Sequence, residues 1–338
     1  MKNGEVHMIR EGKSTIWLMS VMVLGLLLLS FGPMSVVSTA EAATEHQAAI
    51  KVNGKMAKLS DPILVQGGRM YLPAARIAAL TGAEASWDND NEELTIHTAA
   101  SDKVVLGNGV PVVYFNELRY RMDALPFTRD GRLYAPLREL AELLHASFQS
   151  SADGDTIEIT VEPQKVVADG YGLAEVSADT GIAEAQLLKR NGLAAKAAVK
   201  NGMKLDVVIP SFFDHPVASY TEEDLTLLAK ITMVEAGYES YEGQLAVANV
   251  IMNRVNNPAF PDTIKGVIYA GKQFPPAHNG LLDKSKPHAS AYRAAKDALN
   301  GKNVVGKAVY FFNPDRAKGS YWSSMNVVAT IGNHSFAQ

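Results

Sequence analysis

One carboxylate in this sequence stands on the wrong side of a helix. Glu235 lies within Leu225 to Val255, LTLLAKITMVEAGYESYEGQLAVANVIMNRV, two apolar helical runs joined at Gly237. Leu228 and Ile231 precede it by seven and four positions, so a 3.6-residue period stacks the three on one stripe with Thr232 beside them. Thr226, Lys230 and Met233 turn elsewhere. A solvated glutamate belongs on the polar stripe, whereas this one falls on the face expected to pack inward. Apolar walls disfavour the charged form of a carboxyl group and raise its pKa toward neutrality. That is the property a general acid needs to protonate a glycosidic oxygen. The competing reading is that Glu235 pairs with an arginine such as Arg254, or escapes to solvent because the helix frays at Gly237.

The elements that must position Glu235 are legible around it. Thr221-Glu222-Glu223-Asp224 is close to a capping box and predicts the start of a helix that runs to Ala236. A second helix from about Tyr241 is apolar nearly all round (Leu245, Ala246, Val247, Val250, Ile251, Met252, Val255) and is expected to be the buried centre. Pro258-Ala259-Phe260-Pro261 ends it, and a third helix is expected over about 287–300. Ala308 to Phe312 and Asn326 to Ile331 read as strands of a short β element. Glu239 and Glu242, the carboxylates nearest to Glu235 in sequence, are the candidates for a second acid in a two-carboxylate glycosidase.

Composition narrows the alternatives. The 338 residues are 47% hydrophobic and 20% charged, enough for real cores and for two or three structural units. A formal net charge of -4 gives no electrostatic support for nucleic-acid binding. With no cysteine and no close pair among His7, His46, His97, His145, His215, His278, His288 and His334, neither a disulfide nor a metal site is expected, and no cofactor. At the N-terminus, Lys2, Arg10 and Lys13 precede an apolar run from Ile16 to about Val37, followed by small residues. This predicts a signal peptide over 1–42, cut after Ala40 or Ala42, with an uncleaved membrane anchor as the alternative. Either way, contact with the membrane is expected only through that signal, and the remainder is exported.

Between the signal and the helical region, Gly68-Arg69-Met70-Tyr71-Leu72-Pro73 returns 63 residues later as Gly131-Arg132-Leu133-Tyr134-Ala135-Pro136. Each copy leads into a short apolar helix, a hydrophilic turn and an alternating strand, predicting one two-repeat α+β module over 49–162. With Val52-Asn53-Gly54 and Gly82 to Asp88, these turns make the segment resemble the copper amine oxidase N-terminal-like domain. His97 and His145 stand alone, so no copper site is expected, and a targeting or spacer role fits better. Residues 164–210 read as a second, shorter unit with one helix through Val176 and another to Leu188. Leu187-Leu188-Lys189-Arg190-Asn191-Gly192-Leu193 and the Gly202 to Pro210 ending resemble a LysM domain, which implies a small βααβ fold and a grip on N-acetylglucosamine chains. Tyr171-Gly172 departs from the Asp-Thr usual there. Residues 211–221 read as a linker, and 222–338 as the last domain.

That last domain carries several separated motifs in order: Glu235 to Gln244, Ala246-Val247-Ala248, Asn253-Arg254, Gly266 to Tyr269, Gln273-Phe274, Asn313-Pro314, and Ile331-Gly332-Asn333-His334-Ser335-Phe336. Together they resemble the cell wall hydrolase family of SleB and CwlJ, the spore cortex-lytic enzymes and their vegetative relatives. The resemblance implies a lysozyme-like, mainly helical fold with a short β element. It implies cleavage of the β-1,4 bond between N-acetylmuramic acid and N-acetylglucosamine in peptidoglycan, with Glu235 as catalytic acid. A single carboxylate can protonate the leaving oxygen and then take the proton of the muramoyl 6-hydroxyl, giving a 1,6-anhydro end. Hydrolysis, and a wall- or spore-binding protein without catalysis, remain the alternatives. Tyr241, Gln244, Gln273, Phe274, Asn313 and His334 are the expected sugar contacts, because amide and aromatic groups suit acetamido and pyranose recognition. The expected partners are glycan strands, and the expected location is extracellular, in the cell wall or the spore cortex or coat.

Overall fold

The computed structural model describes residues 43–271 and 273–338. The expected signal peptide lies outside the described residues. The first module is built from β1 (Thr44–His46), β2 (Ala49–Val52), β3 (Lys55–Ala57), β4 (Ile63–Gln66), β5 (Arg69–Pro73), α1 (Ala74–Leu80), β6 (Glu84–Asp88) and β7 (Glu93–His97). It continues through β8 (Lys103–Gly107), β9 (Val112–Phe115), β10 (Leu118–Arg121), β11 (Phe127–Arg129), β12 (Arg132–Pro136), α2 (Leu137–Leu143), β13 (Ala146–Ser150) and β14 (Thr156–Val161).

The two sequence repeats meet directly. Strands β5 and β12 pair antiparallel with Tyr71 opposite Pro136 and Pro73 opposite Tyr134, so the copies are related by a local two-fold. Each strand ends in a proline that caps the helix after it, its fixed φ suiting an N-terminus. Period-2 alternation turns Leu94 and Ile96 of β7 inward, and the module's core gathers them with Ile50, Leu72, Ile77, Leu140, Ile157 and Ile159. The sheet order is β1-β4-β5-β12-β11, β10-β9-β8-β7-β6 and β13-β14-β2-β3, with β14 and β2 parallel.

The next segment forms β15 (Lys165–Val166), α3 (Leu173–Thr180), α4 (Glu184–Arg190) and β16 (Lys204–Leu205), its two strands antiparallel around Val167, Val176, Leu187 and Leu205. The order of these elements is βααβ. Residues 211–221, expected to be a linker, pack in part against the first module. Phe212 and Phe213, in a 3-10 turn over Ser211–Asp214, are core residues of the first module, where Phe213 stacks on Tyr120 at 4.8 Å.

The C-terminal region contains α5 (Glu222–Ala236), α6 (Tyr241–Val255), α7 (Ile264–Tyr269), α8 (Leu281–Lys284), α9 (Ala289–Leu299), β17 (Tyr310–Phe312), α10 (Ser320–Ser323), β18 (Val327–Ile331) and β19 (His334–Ala337). The capping box forms: Thr221 Oγ1 accepts from Asp224 N at 3.0 Å, and the Asp224 carboxylate accepts from Thr221 N at 3.2 Å. As expected, α6 is the buried centre, with Leu245 through Ala248, Val250 and Ile251 inaccessible. It packs against α5 and α9, while β17, β19 and β18 form one antiparallel sheet in that order. No helix among the described residues is long and apolar enough to cross a membrane.

Candidate active site

Leu228, Ile231 and Thr232 on α5 are completely buried, and Ala236 nearly so, which fixes the stripe on which Glu235 lies. Glu235 itself is half-buried. Among the described residues its carboxylate has no hydrogen-bond or ion-pair partner, and burial alone holds its pKa above the ordinary value. Arg254 is not its counter-ion. The Arg254 guanidinium donates to the Val309 carbonyl at 2.7 Å and lies over the rings of Phe260, Phe274 and Tyr310. Nor does the helix fray: Gly237 N–H still bonds to Met233 O at 2.9 Å. The chain then turns tightly, Glu239 N donating to Ala236 O at 2.9 Å, before α6 begins under a Ser240 cap.

Glu239 is committed to the β18–β19 turn. Asn333 Nδ2 donates to its Oε1 at 3.0 Å, Asn333 N donates to its Oε2 at 3.3 Å, and His334 Nδ1 faces Oε1 at 3.6 Å. A Cβ on Gly332, where φ is +57°, would fall 1.9 Å from Glu239 Oε2, so the carboxylate occupies space that only glycine leaves free. Glu242 is exposed in the first turn of α6.

Three of the expected sugar contacts are turned into the protein. Gln244 is buried and its amide is used at both ends: Nε2 donates to Glu239 O at 2.9 Å and Oε1 accepts from Ser290 Oγ at 2.9 Å. Phe274 is core, 6.3 Å from Phe311. The Tyr241 hydroxyl donates to Asp297, with Arg293 and Lys302 over its ring, so it belongs to a buried charge cluster rather than to an open groove. Gln273 is exposed. Asn313 Oδ1 accepts from Asp315 N at 2.9 Å, which shapes its own turn. His334 is largely buried against Phe311, and its pKa is lowered by burial, with Glu239 opposing.

Exposed aromatic residues escaped the sequence reading. Tyr238 is fully exposed three positions after Glu235, and Trp322 packs on Phe312 at 4.9 Å with Tyr321 beside it. Such faces suit sugar rings, and the signal was an unbroken Tyr-Trp pair flanked by serines. A crevice of about 590 Å³ lies elsewhere, lined by Arg119, Arg121, Asn249, Asn253 and Asn300 among others, and Glu235 does not line it. The donor set for copper does not fit. His97 is exposed on β7, while His145 Nδ1 lies 3.5 Å from the Arg190 guanidinium, which would repel a cation.

Comparison with known proteins finds two matching regions in the chain. Residues 238–337 match the cell wall hydrolase family and residues 50–173 the copper amine oxidase N-terminal domain. Glu235 precedes the first match by three residues. A spore cortex-lytic enzyme of Halalkalibacterium halodurans is 42% identical over 119 residues, covering 35% of this chain and 36% of that one. That of Bacillus subtilis is 37% identical over 119 residues, covering 35% and 39%. The chain therefore spans little more than a third of these relatives' length. Among solved structures, the catalytic domain of the germination-specific lytic transglycosylase SleB from Bacillus anthracis is 35% identical, with 36% of this chain and 99% of that chain covered at a TM-score of 0.34.

Proposed function

We propose, for a chain whose residues 238–337 match the cell wall hydrolase family, that it degrades peptidoglycan as a lytic transglycosylase with Glu235 as its acid and base. The observation that carries the reading is the Glu235 carboxyl group itself: half-buried at the end of α5, unpaired among the described residues, and with a raised pKa. A protonated carboxyl group donates to the oxygen of the MurNAc–GlcNAc β-1,4 bond as the C1–O bond breaks, leaving a carboxylate. The carboxylate then takes the proton of the 6-hydroxyl as that oxygen bonds to C1, which regenerates the acid and closes the 1,6-anhydro ring. No second carboxylate is consumed, which accords with Glu239 being held in a turn.

Tyr238, Gln273, Asn313 and the Phe312–Trp322–Tyr321 group are the proposed sugar contacts. The βααβ segment is proposed to be a LysM-like unit that grips glycan, and the two-repeat module a spacer. Tethering of this kind raises the local concentration of an enzyme on an insoluble polymer. An export signal in 1–42 and action on the cortex or wall complete the proposal.

The test is digestion of purified sacculi and spore cortex by the full chain and by Glu235→Gln, with products identified by mass spectrometry. Anhydro-muropeptides from the wild type and their loss by about 10²–10⁴-fold in the variant are expected. Reducing ends would make the enzyme a hydrolase. Sedimentation with sacculi and no soluble product would make the chain a binder.

A further inference from the structure

We infer that Glu239 is a positioning residue that holds the His334 imidazole in a single tautomer, so that His334 Nε2 accepts a hydrogen bond from a hydroxyl or acetamido N–H of the bound sugar. The inference rests on the peptidoglycan-cleaving reading for its ligand, but the dyad stands on geometry alone. Glu239 lies four positions after Glu235, and the turn between them is closed by the bond from Glu239 N to Ala236 O. Both Glu239 oxygens are occupied by Gly332-Asn333-His334.

His334 Nδ1 is covered and has no hydrogen-bond partner nearer than the Glu239 carboxylate, which it faces at 3.6 Å. A lone pair on Nδ1 would point at a negative charge, whereas an N–H there is attracted to it, so the carboxylate selects the Nδ1–H tautomer. Burial depresses the imidazole pKa, so the ring is neutral and Nε2 carries the lone pair. Nε2 is not among the covered, unpartnered atoms and has no partner among the described residues, which leaves it open to an incoming donor. The ring packs on Phe311 and Phe336, and Phe336 shares a core cluster with Ala236, the residue after Glu235. Glu235 and the Glu239–His334 pair thus stand at the two ends of one short turn.

Selective ¹⁵N-histidine labelling of the full chain, with the His334 signals assigned by their loss in His334→Gln, reads the tautomer without substrate. A protonated Nδ1 and a bare Nε2 are expected in the wild type, shifting toward Nε2–H in Glu239→Gln. On soluble peptidoglycan oligomers, His334→Asn is expected to raise KM about tenfold with kcat changed far less, the loss of one hydrogen bond. His334→Gln, whose amide oxygen reaches the Nε2 position, is expected to restore KM. A wild-type Nε2–H signal, or an unchanged KM in His334→Asn, overturns the inference. If Glu239→Gln does not fold, the wild-type spectrum and the two His334 variants still decide it. Activity in Glu235→Gln would sink the catalytic reading without touching the tautomer.

Discussion

Glu235 has a consequence for stability as well as for chemistry. Its folded pKa is raised above the ordinary 4.5, so the folded chain holds this proton more tightly than the unfolded chain does. Below the ordinary value the group is neutral in both states and costs nothing. As pH rises through the raised value, ionisation increasingly subtracts stability. Glu235→Gln removes that penalty. It is therefore expected to be more stable than the wild type at neutral pH and equal to it in mild acid, as urea unfolding at the two pH values would show. Cleavage by the wild type should decline over the same rise in pH, because the protonated form is the donor. This residue was legible in the sequence because a helical period assigns a face to each position. Residue type alone assigns none, and so Tyr241, Gln244 and Phe274 were expected at sugars and are found inside. For Gln244 the warning was present: a helix apolar nearly all round turns even its polar residues inward.

The helices followed their patterns closely, α5 and α6 ending and starting where Gly237 and Ser240 direct. Strand β19 did not announce itself. His334–Ala337 is four residues long, and its identity depends on pairing with β17 and β18 at once. Much of β8 to β11 was missed for the same reason, since short strands are defined by partners distant in sequence. The Glu239 clamp is likewise a contact across 94 positions. Its glycine can be tested directly. Gly332→Ala must expel the Glu239 carboxylate and place a β-carbon at a positive φ, so a loss of about 1–3 kcal/mol is expected in denaturant unfolding. Loss of the Asn333 amide protection in hydrogen exchange would locate the damage in the turn.

Across the whole molecule, the parts separated by the sequence are joined by buried charge. Arg190 of the βααβ unit donates to both oxygens of Asp102 on the first module, at 3.1 and 2.5 Å, and pairs with Asp206 at 3.3 Å. Arg119 of the first module reaches Leu299 O and Asn300 of the helical domain, and Lys296 meets Glu93 at 2.7 Å. Composition could not disclose these joins, because a charged residue bonded across an interface reads like a solvated one. Arg190→Ala leaves two buried carboxylates without their cation and is expected to cost about 3–5 kcal/mol. An early melting phase confined to the βααβ unit would distinguish local release from global loss. A joint clasped by paired charges also sets a distance. If the βααβ unit grips a strand while Glu235 cuts, the gap between grip and cut is built into the molecule like the jaws of a caliper, and the released glycans should cluster in length. Freeing the jaw with Arg190→Ala should blur that spacing before it slows the cutting.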